Sequence, residues 1–431
     1  MSISLSRLVD KIKPSFTLQM TARAAALRAK GVDVINFGVG EPDFNTPAHI
    51  IEAGQKAMDD GYTKYTPGSG MIELKEAIQT KVKNDTGVLY DTNQIIVSNG
   101  GKQSLSVACQ ALFEEGDKVV IFSPYWVSFP EFVRLSGAEP LLVDTVASKQ
   151  FEPDFDDLHK KIVDEYDFKT IDLSIKGVII NSPSNPTGGV WSDEAIIKLL
   201  EISKANNWIV ISDETYEELV YDRKFTAIDT LNDVGAEVLT IRSMSKTYAM
   251  TGWRIGYAIA NEIIVKAMSK IQGQTTSCPN AIGQKASVAA LLGNQQPILD
   301  MKNKFQERRQ VMFDALNSLD GVTCDMPGGA FYMFPDFSSH LNKATKDGKI
   351  LRDTFDLSDY ILDTARVVTV AGDGFGAEGY LRLSFATSSE IIKNGIKRIE
   401  ESLKELKLKK IHTQKNIGSS SSKIVHVTIL S

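Results

Sequence analysis

The stretch "KGVIINSPSNPTGGVWSDEAIIKLLEISKANNWIVISDE", residues 176–214, decides the fold class. Its runs VIIN and IVIS are apolar on both faces, as strands covered from both sides must be. Between them lie a loop with two prolines and two glycines and a helical pattern that starts at Ser192. A strand, a helix and a strand in this order make one unit of a mainly parallel sheet. The pattern continues outward in both directions. "QIIVSNGG" leads into the helix "KQSLSVACQALFEEG", "DKVVIFSPYW" leads into "SFPEFVRLSG", and "EVLTI" and "RIGYAIA" read as two further strands.

Residues 48–288 therefore read as a large α/β domain, a mainly parallel sheet flanked by helices. Residues 1–47 and 289–411 read differently. Long amphipathic helices such as "ILDMKNKFQERRQVMFDALNSL" alternate there with short strands, which predicts a smaller α+β domain formed by both chain ends. Residues 412–431 contain a serine run and read as a disordered tail.

A chain of 431 residues suits two domains. The net charge of −6 is mild and evenly spread, which speaks against nucleic acid or a membrane surface as partner. No apolar run approaches a membrane span, and "MSISLSRLVDKIKPS" lacks the apolar core of a signal peptide. Cys109, Cys278 and Cys324 are far apart, with no CxxC pair. That pattern predicts a reducing compartment, the cytoplasm, and neither a disulfide framework nor a metal site.

In open α/β sheets ligands bind beyond the carboxyl ends of the strands. Five strand ends here carry polar residues: Asn99-Gly100-Gly101, Tyr125-Trp126, Asn185, Asp213 with Tyr216, and Ser243-Met244-Ser245-Lys246. Gly100 and Gly101 open a helix, where free amides and the dipole favour a phosphate. Trp126 suits stacking on a ring. Asn185 sits in a rigid loop whose ordinary use for an asparagine is turn capping. Asp213, after a buried strand, needs a cationic partner such as a protonated pyridine nitrogen, and Tyr216 reaches the same ring. Lysine is usually a surface residue, but Lys246 is pinned between two core strands. An amine there, with its pKa lowered, can form a Schiff base with an aldehyde. Arg254, read as lying on the next strand, completes a phosphate cradle with Ser243 and Ser245. Together these parts describe a site for a planar, phosphorylated, carbonyl-bearing ligand.

"SMSKTYAMTGWRIG" (243–256) resembles the pyridoxal-phosphate attachment signature of the class I aminotransferases, the aspartate aminotransferase family of fold type I. "GEPDFNTP" (40–47), "YTPGSG" (65–70), "SNGGKQ" (98–103), "SPYWVSFPE" (123–131), "NSPSNPTGG" (181–189), "SDETYEELVY" (212–221) and "YLRLSFA" (380–386) follow in family order. The resemblance covers residues 3 to 410 and implies pyridoxal 5'-phosphate as cofactor. Lys246 would hold it as a Schiff base and then shuttle the proton between Cα and C4′. Asp213 would pair with the pyridine nitrogen, Tyr216 and Asn185 with the phenolate oxygen, and Trp126 would stack on the ring. Gly100, Gly101, Lys102, Ser243, Ser245 and Arg254 would hold the phosphate, with Tyr65 reaching in from the other subunit of a homodimer.

Substrate residues follow from the same resemblance. Arg382 would clamp the α-carboxylate, with Gly40, Trp126 and Asn185 nearby. In "LRLSF" the alternation puts Arg382 and Ser384 opposite Leu381, Leu383 and Phe385, and the ordinary reading of such an arginine is a solvated face. Lys102 in the "GGK" position would meet the side-chain carboxylate of a dicarboxylic substrate. The expected reaction is ping-pong transamination, through the pyridoxamine form, between aspartate or glutamate and oxaloacetate or 2-oxoglutarate. Aromatic, prephenate or alanine aminotransferases and C–S lyases share the scaffold and are the nearest rivals.

Other classes fit less well. "GFGAEG" (374–379) matches the dinucleotide fingerprint, but a strand follows it where a helix is needed, which excludes NAD. A regulator on this fold would need a DNA-binding module, and no helix-turn-helix precedes residue 15. His49, His159, His340, His412 and His426 all lie outside the strand-end set, against a hydrolase or a metal enzyme.

Overall fold

A computed structural model of the protein describes residues 3–14, 16–163 and 174–408. The tail expected over 412–431 lies outside them. A first short strand, β1 (Ile35–Asn36), precedes the main sheet. That sheet is built from β2 (Ile95–Ser98), β3 (Lys118–Ser123), β4 (Glu139–Val146), β5 (Glu152–Pro153), β6 (Ile175–Asn181), β7 (Ile209–Asp213), β8 (Glu237–Ser243) and β9 (Gly256–Ile259). Their spatial order is β2-β9-β8-β7-β6-β3-β4-β5. Pairing is parallel from β8 through β7, β6 and β3 to β4, while β9 runs against both β2 and β8, and β5 runs against β4. Six strands thus share one direction, and their carboxyl ends collect along one edge.

Two apolar layers cover this sheet, which explains the runs without alternation. Ile121, Ile179, Ile211 and Ile241 pack against the helices Gly101–Leu112, Phe129–Leu135 and Glu262–Thr275. Their neighbours in the strands, Val120, Val178, Ile180 and Val210, pack against the helices Phe155–Ile162 and Asp193–Ala205. The second of these begins where Ser192 caps the amide of Ala195, with Asp193 and Glu194 in its first turn. At the β2–β9 end, Val97 and Tyr257 meet the helices Ala48–Asp59, Ile72–Thr86 and Ala281–Leu292.

A second apolar cluster lies around β10 (Tyr332–Met333), β11 (Val367–Val368), β12 (Val370–Ala371) and β13 (Leu381–Ser384). The antiparallel order is β10-β13-β12. The helices Gln296–Asn317, Thr354–Ala365 and Ser389–Leu403 supply Phe305, Ile361 and Ile396 to it. β1 pairs in parallel with β11, Ile35 opposite Val367, so early and late parts of the chain meet here.

Candidate active site

The carboxyl ends of five main strands, with the 38–41 segment and β13, enclose a cavity of about 320 Å³. β7 delivers Asp213 as its last residue. β8 runs into the short helix Met244–Thr247, started by the Ser243 hydroxyl accepting from Ser245 N, and that helix carries Lys246. β6 ends on Asn181, whose amide donates to Asp213 O at 2.9 Å while its Oδ1 accepts from Asn185 N at 2.7 Å. Gly40, Gly101, Lys102, Trp126, Asn185, Asp213, Tyr216, Ser243, Ser245, Lys246, Arg254 and Arg382 line this one space. Gly100 and Tyr65 do not: Gly100 lies behind the wall, and Tyr65 stands at the surface, 89% exposed.

Four cations, Lys102, Lys246, Arg254 and Arg382, face a single carboxylate, Asp213. Among the described residues none of the four forms a salt bridge. The cavity therefore suits a ligand with several negative charges. Burial raises the Asp213 carboxyl to about 6, against the hydroxyl and amide of Thr215 and the Lys246 charge, which lower it. Burial lowers the Lys246 amine to about 8, and Arg254 and Arg382 push the same way while Glu41 and Asp213 oppose. Lys246 Nζ donates to the Gly40 carbonyl. An amine so placed is partly unprotonated near neutral pH and ready to act as nucleophile or base.

At one end the helix Gly101–Leu112 points its amino terminus at the cavity. Its first amides, Gly101 and Lys102, have no backbone partner among the described residues. Arg254 stands over them, fixed by donation to Thr251 O at 2.8 Å and Asn99 O at 3.4 Å. The expected strand position of Arg254 is corrected here. It follows the turn Thr251–Trp253 with a left-handed φ of 58°, two residues before β9, and that turn is what aims its guanidinium. Gly100, at φ 89°, leaves the space that Arg254 fills: a Cβ would lie 2.5 Å from Nη2. Trp126 is braced edge-on by Phe129 and Phe132, and Lys102 Nζ lies 5.0 Å over its ring.

At the other end Arg382 is buried, 2% exposed, so its face of β13 is not the solvated one an ordinary strand arginine takes. Its Nη1 donates to Asn185 Oδ1 at 2.8 Å and Nη2 to Gly38 O at 2.9 Å, while Nε is buried without a partner among the described residues. The rings of Tyr332 and Phe375 flank the guanidinium at 4.5 and 5.2 Å. Burial holds its pKa below the usual arginine value. Such a planar fork, without an acid of its own, is a receptor for a carboxylate.

Several lining residues were not singled out in the sequence. Tyr332 meets Tyr216 hydroxyl to hydroxyl at 2.9 Å, and burial drives the Tyr216 phenol well above its ordinary pKa. Asn181 ends a strand inside a quoted motif, so its position was a usable signal. Thr215 follows Asp213 by two residues. Thr17 and Ser128 reach the cavity from the start of the helix Phe16–Ala29 and from the turn before Phe129–Leu135, and no local pattern marks them.

The model of the family described as aminotransferase class I and II matches residues 32–399. An aspartate aminotransferase of Geobacillus stearothermophilus is 41% identical over 92% of this chain and 98% of its own length. A protein of Aquifex aeolicus named probable aspartate/prephenate aminotransferase is 39% identical over 93% and 99%. Among solved structures, the aspartate aminotransferase of Rhizobium meliloti superposes with a TM-score of 0.88 at 37% identity, covering 94% of this chain and all of that one. The Thermus thermophilus aspartate aminotransferase with maleate superposes at 0.85 and 34%, covering 93% and 100%.

Proposed function

The chain belongs to the class I and II aminotransferases, and from that premise we propose that it transfers the amino group of L-aspartate or L-glutamate to a 2-oxo acid in ping-pong fashion, with pyridoxal 5'-phosphate as cofactor. The observation that carries the reading is one cavity holding a depressed lysine, a raised carboxyl and an acid-free arginine fork. The residues fit the cofactor. Gly101, Ser243, Ser245 and Arg254 form a cradle of amide, hydroxyl and guanidinium donors that suits a phosphate. Asp213 suits a protonated ring nitrogen, Tyr216 and Asn185 a phenolate, and Trp126 a ring face.

When bound, pyridoxal phosphate supplies an electron sink for charge developing at the substrate Cα. Asp213 keeps the ring nitrogen protonated. Lys246 would take the proton from Cα and hand it on to the cofactor's C4′, a role its depressed pKa supports. Arg382 holds the α-carboxylate through its fork and thereby fixes which Cα bond faces Lys246. Lys102 meets the second carboxylate of a dicarboxylic substrate. That choice is supported by relatives named aspartate aminotransferase and by the dicarboxylate maleate in the Thermus thermophilus structure. Prephenate is the second acceptor to assay, because relatives from Aquifex aeolicus and Nitrosomonas europaea carry it in their names. We further infer a homodimer in which Tyr65 serves the partner's cavity, and a cytoplasmic location in keeping with three free cysteines.

Incubation with pyridoxal phosphate should give the protein a visible absorption band, and borohydride should fix the label on the peptide containing Lys246. Lys246→Ala should lose the label and at least about a thousandfold in aspartate–2-oxoglutarate transamination. Wild-type turnover by that variant would remove Lys246 from the chemistry.

A further inference from the structure

Glu217 follows Tyr216 in the turn after β7, but it does not line the active cavity. It borders a second one, of about 500 Å³, together with Arg242 and Lys302. Thr247, the residue after Lys246, donates through Oγ1 to Glu217 Oε1 over a long 3.4 Å. The other oxygen, Oε2, is sealed from solvent and has no partner among the described residues. Lys224 and Lys302 also line the second cavity, and the two cations that act on the Glu217 carboxyl are engaged elsewhere. Arg242 of β8 bonds Glu214 at 2.9 Å, and Lys81 of the helix Ile72–Thr86 bonds Asp85 and Glu218 at 2.6 Å. Tyr257 of β9 and Tyr248, beyond Thr247, also face Glu217, as do Glu218, which raises its carboxyl further, and Asp85, Lys224 and Lys302 around the same cavity. Burial accordingly raises its carboxyl to about 8, against Arg242 and Lys81, which lower it.

We propose that Glu217 is a positioning residue for Lys246: as the neutral acid it ties, through Thr247, the turn bearing Asp213 and Tyr216 to the short helix bearing Lys246. The inference rests on the role of Lys246 proposed above. The two turns leave neighbouring strands, and beyond the Arg242–Glu214 pair that joins β8 to the same turn, the Glu217–Thr247 contact reaches the residue next to Lys246, so it bears on where the amine stands relative to Asp213. Loss of the proton would leave a carboxylate with no bonded cation beside that helix, an arrangement that costs stability and relaxes the tie.

The sign of the pH effect follows from the shift. The folded state holds the Glu217 proton up to about 8, whereas the unfolded chain releases it near 4.5. Stability from this group is full below 4.5 and is lost as pH rises to about 8. In the cofactor-free protein the melting temperature of wild type should therefore fall relative to Glu217→Gln between pH 5 and 8. Glu217→Gln, neutral and able to accept from Thr247, should keep kcat at pH 7 within about twofold. Glu217→Ala and Thr247→Val should each lower kcat about tenfold, leave the donor KM unchanged, and slow uptake of pyridoxal phosphate by the cofactor-free protein. The double variant should be no worse than either single one. A Gln variant as impaired as the Ala variant would overturn the proposal, since the ionised carboxylate would then be the working form. Wild-type kcat in Thr247→Val would overturn it too, and that variant serves if Glu217→Ala fails to fold. If the wild-type protein itself does not transaminate, the reading of Lys246 fails, whereas the melting comparison still reports on Glu217.

Discussion

Lys102 is a cation in the first turn of a helix, where the dipole disfavours it, and burial and Arg254 both depress its pKa. It touches the face of Trp126 and has no acid partner among the described residues. An anion that enters the cavity relieves all three costs. A charge-assisted bond to a substrate carboxylate stabilises by about 1.5–3 kcal/mol, so Lys102→Ala should raise KM for aspartate about 10- to 100-fold while KM for an aliphatic donor moves by about twofold or less. Equal losses for both donors would assign Lys102 to the phosphate instead. Two site residues are legible from sequence because they end apolar runs: Asp213 closes β7 and Lys246 follows β8, whereas the alternation around Arg382 by itself reads as a solvated face and only the family resemblance gave it a site role. Tyr332 was not legible, because "GGAFYMF" is apolar throughout and only tertiary packing brings its hydroxyl to Tyr216. Thr17 likewise depends on how the helix Phe16–Ala29 docks through Met20 and Ala24 onto Leu362 and Val368.

The elements of the cavity wall approach one another closely at one point. β9 passes the turn that opens the helix Gly101–Leu112, and a Cβ on Gly256 would lie 2.2 Å from Gly101 N and 2.7 Å from Gly100 C. Those are backbone atoms, so the strand or the helix start must move. Gly256→Ala should cost about 1–3 kcal/mol of stability, as overpacking does. It should also weaken pyridoxal phosphate binding by tenfold or more, because the displaced amides are those of the cradle. Titration of the folded variant with the cofactor measures this, and unchanged affinity would move the phosphate away from that helix. At this scale the strands covered on both sides were plain from their unbroken apolar runs. The placement of Arg254 was not: "RIGYAIA" reads as one strand, but pairing starts only at Gly256. Arg254, two residues earlier, is spent on a left-handed conformation that no hydropathy pattern encodes.

At the scale of the whole molecule Tyr65 stands apart from the other site residues. It lies on the surface between the helices Ala48–Asp59 and Ile72–Thr86, away from the cavity of its own chain. Shared sites make a definite forecast. Lys246→Ala and Tyr65→Ala should each be strongly impaired alone, and their co-expression should restore about a quarter of wild-type activity, since hybrid dimers would contain one intact site. Isolated hybrids with no recovered activity would confine each site to one chain. The parallel pairing of β1 with β11 bears on a different matter, the time at which the site comes into being. The two strands leave the ribosome roughly 330 residues apart, Ile35 against Val367, which at about 5–20 residues per second is on the order of 17–66 s of synthesis. Throughout that interval the nascent chain lacks the strand that pairs with β1, and it has no Arg382. The phosphate end of the cavity can take shape once β9 has emerged, but the carboxylate end must wait for β13. A chain between those two points thus carries the residues of the phosphate end without those that would hold an amino acid.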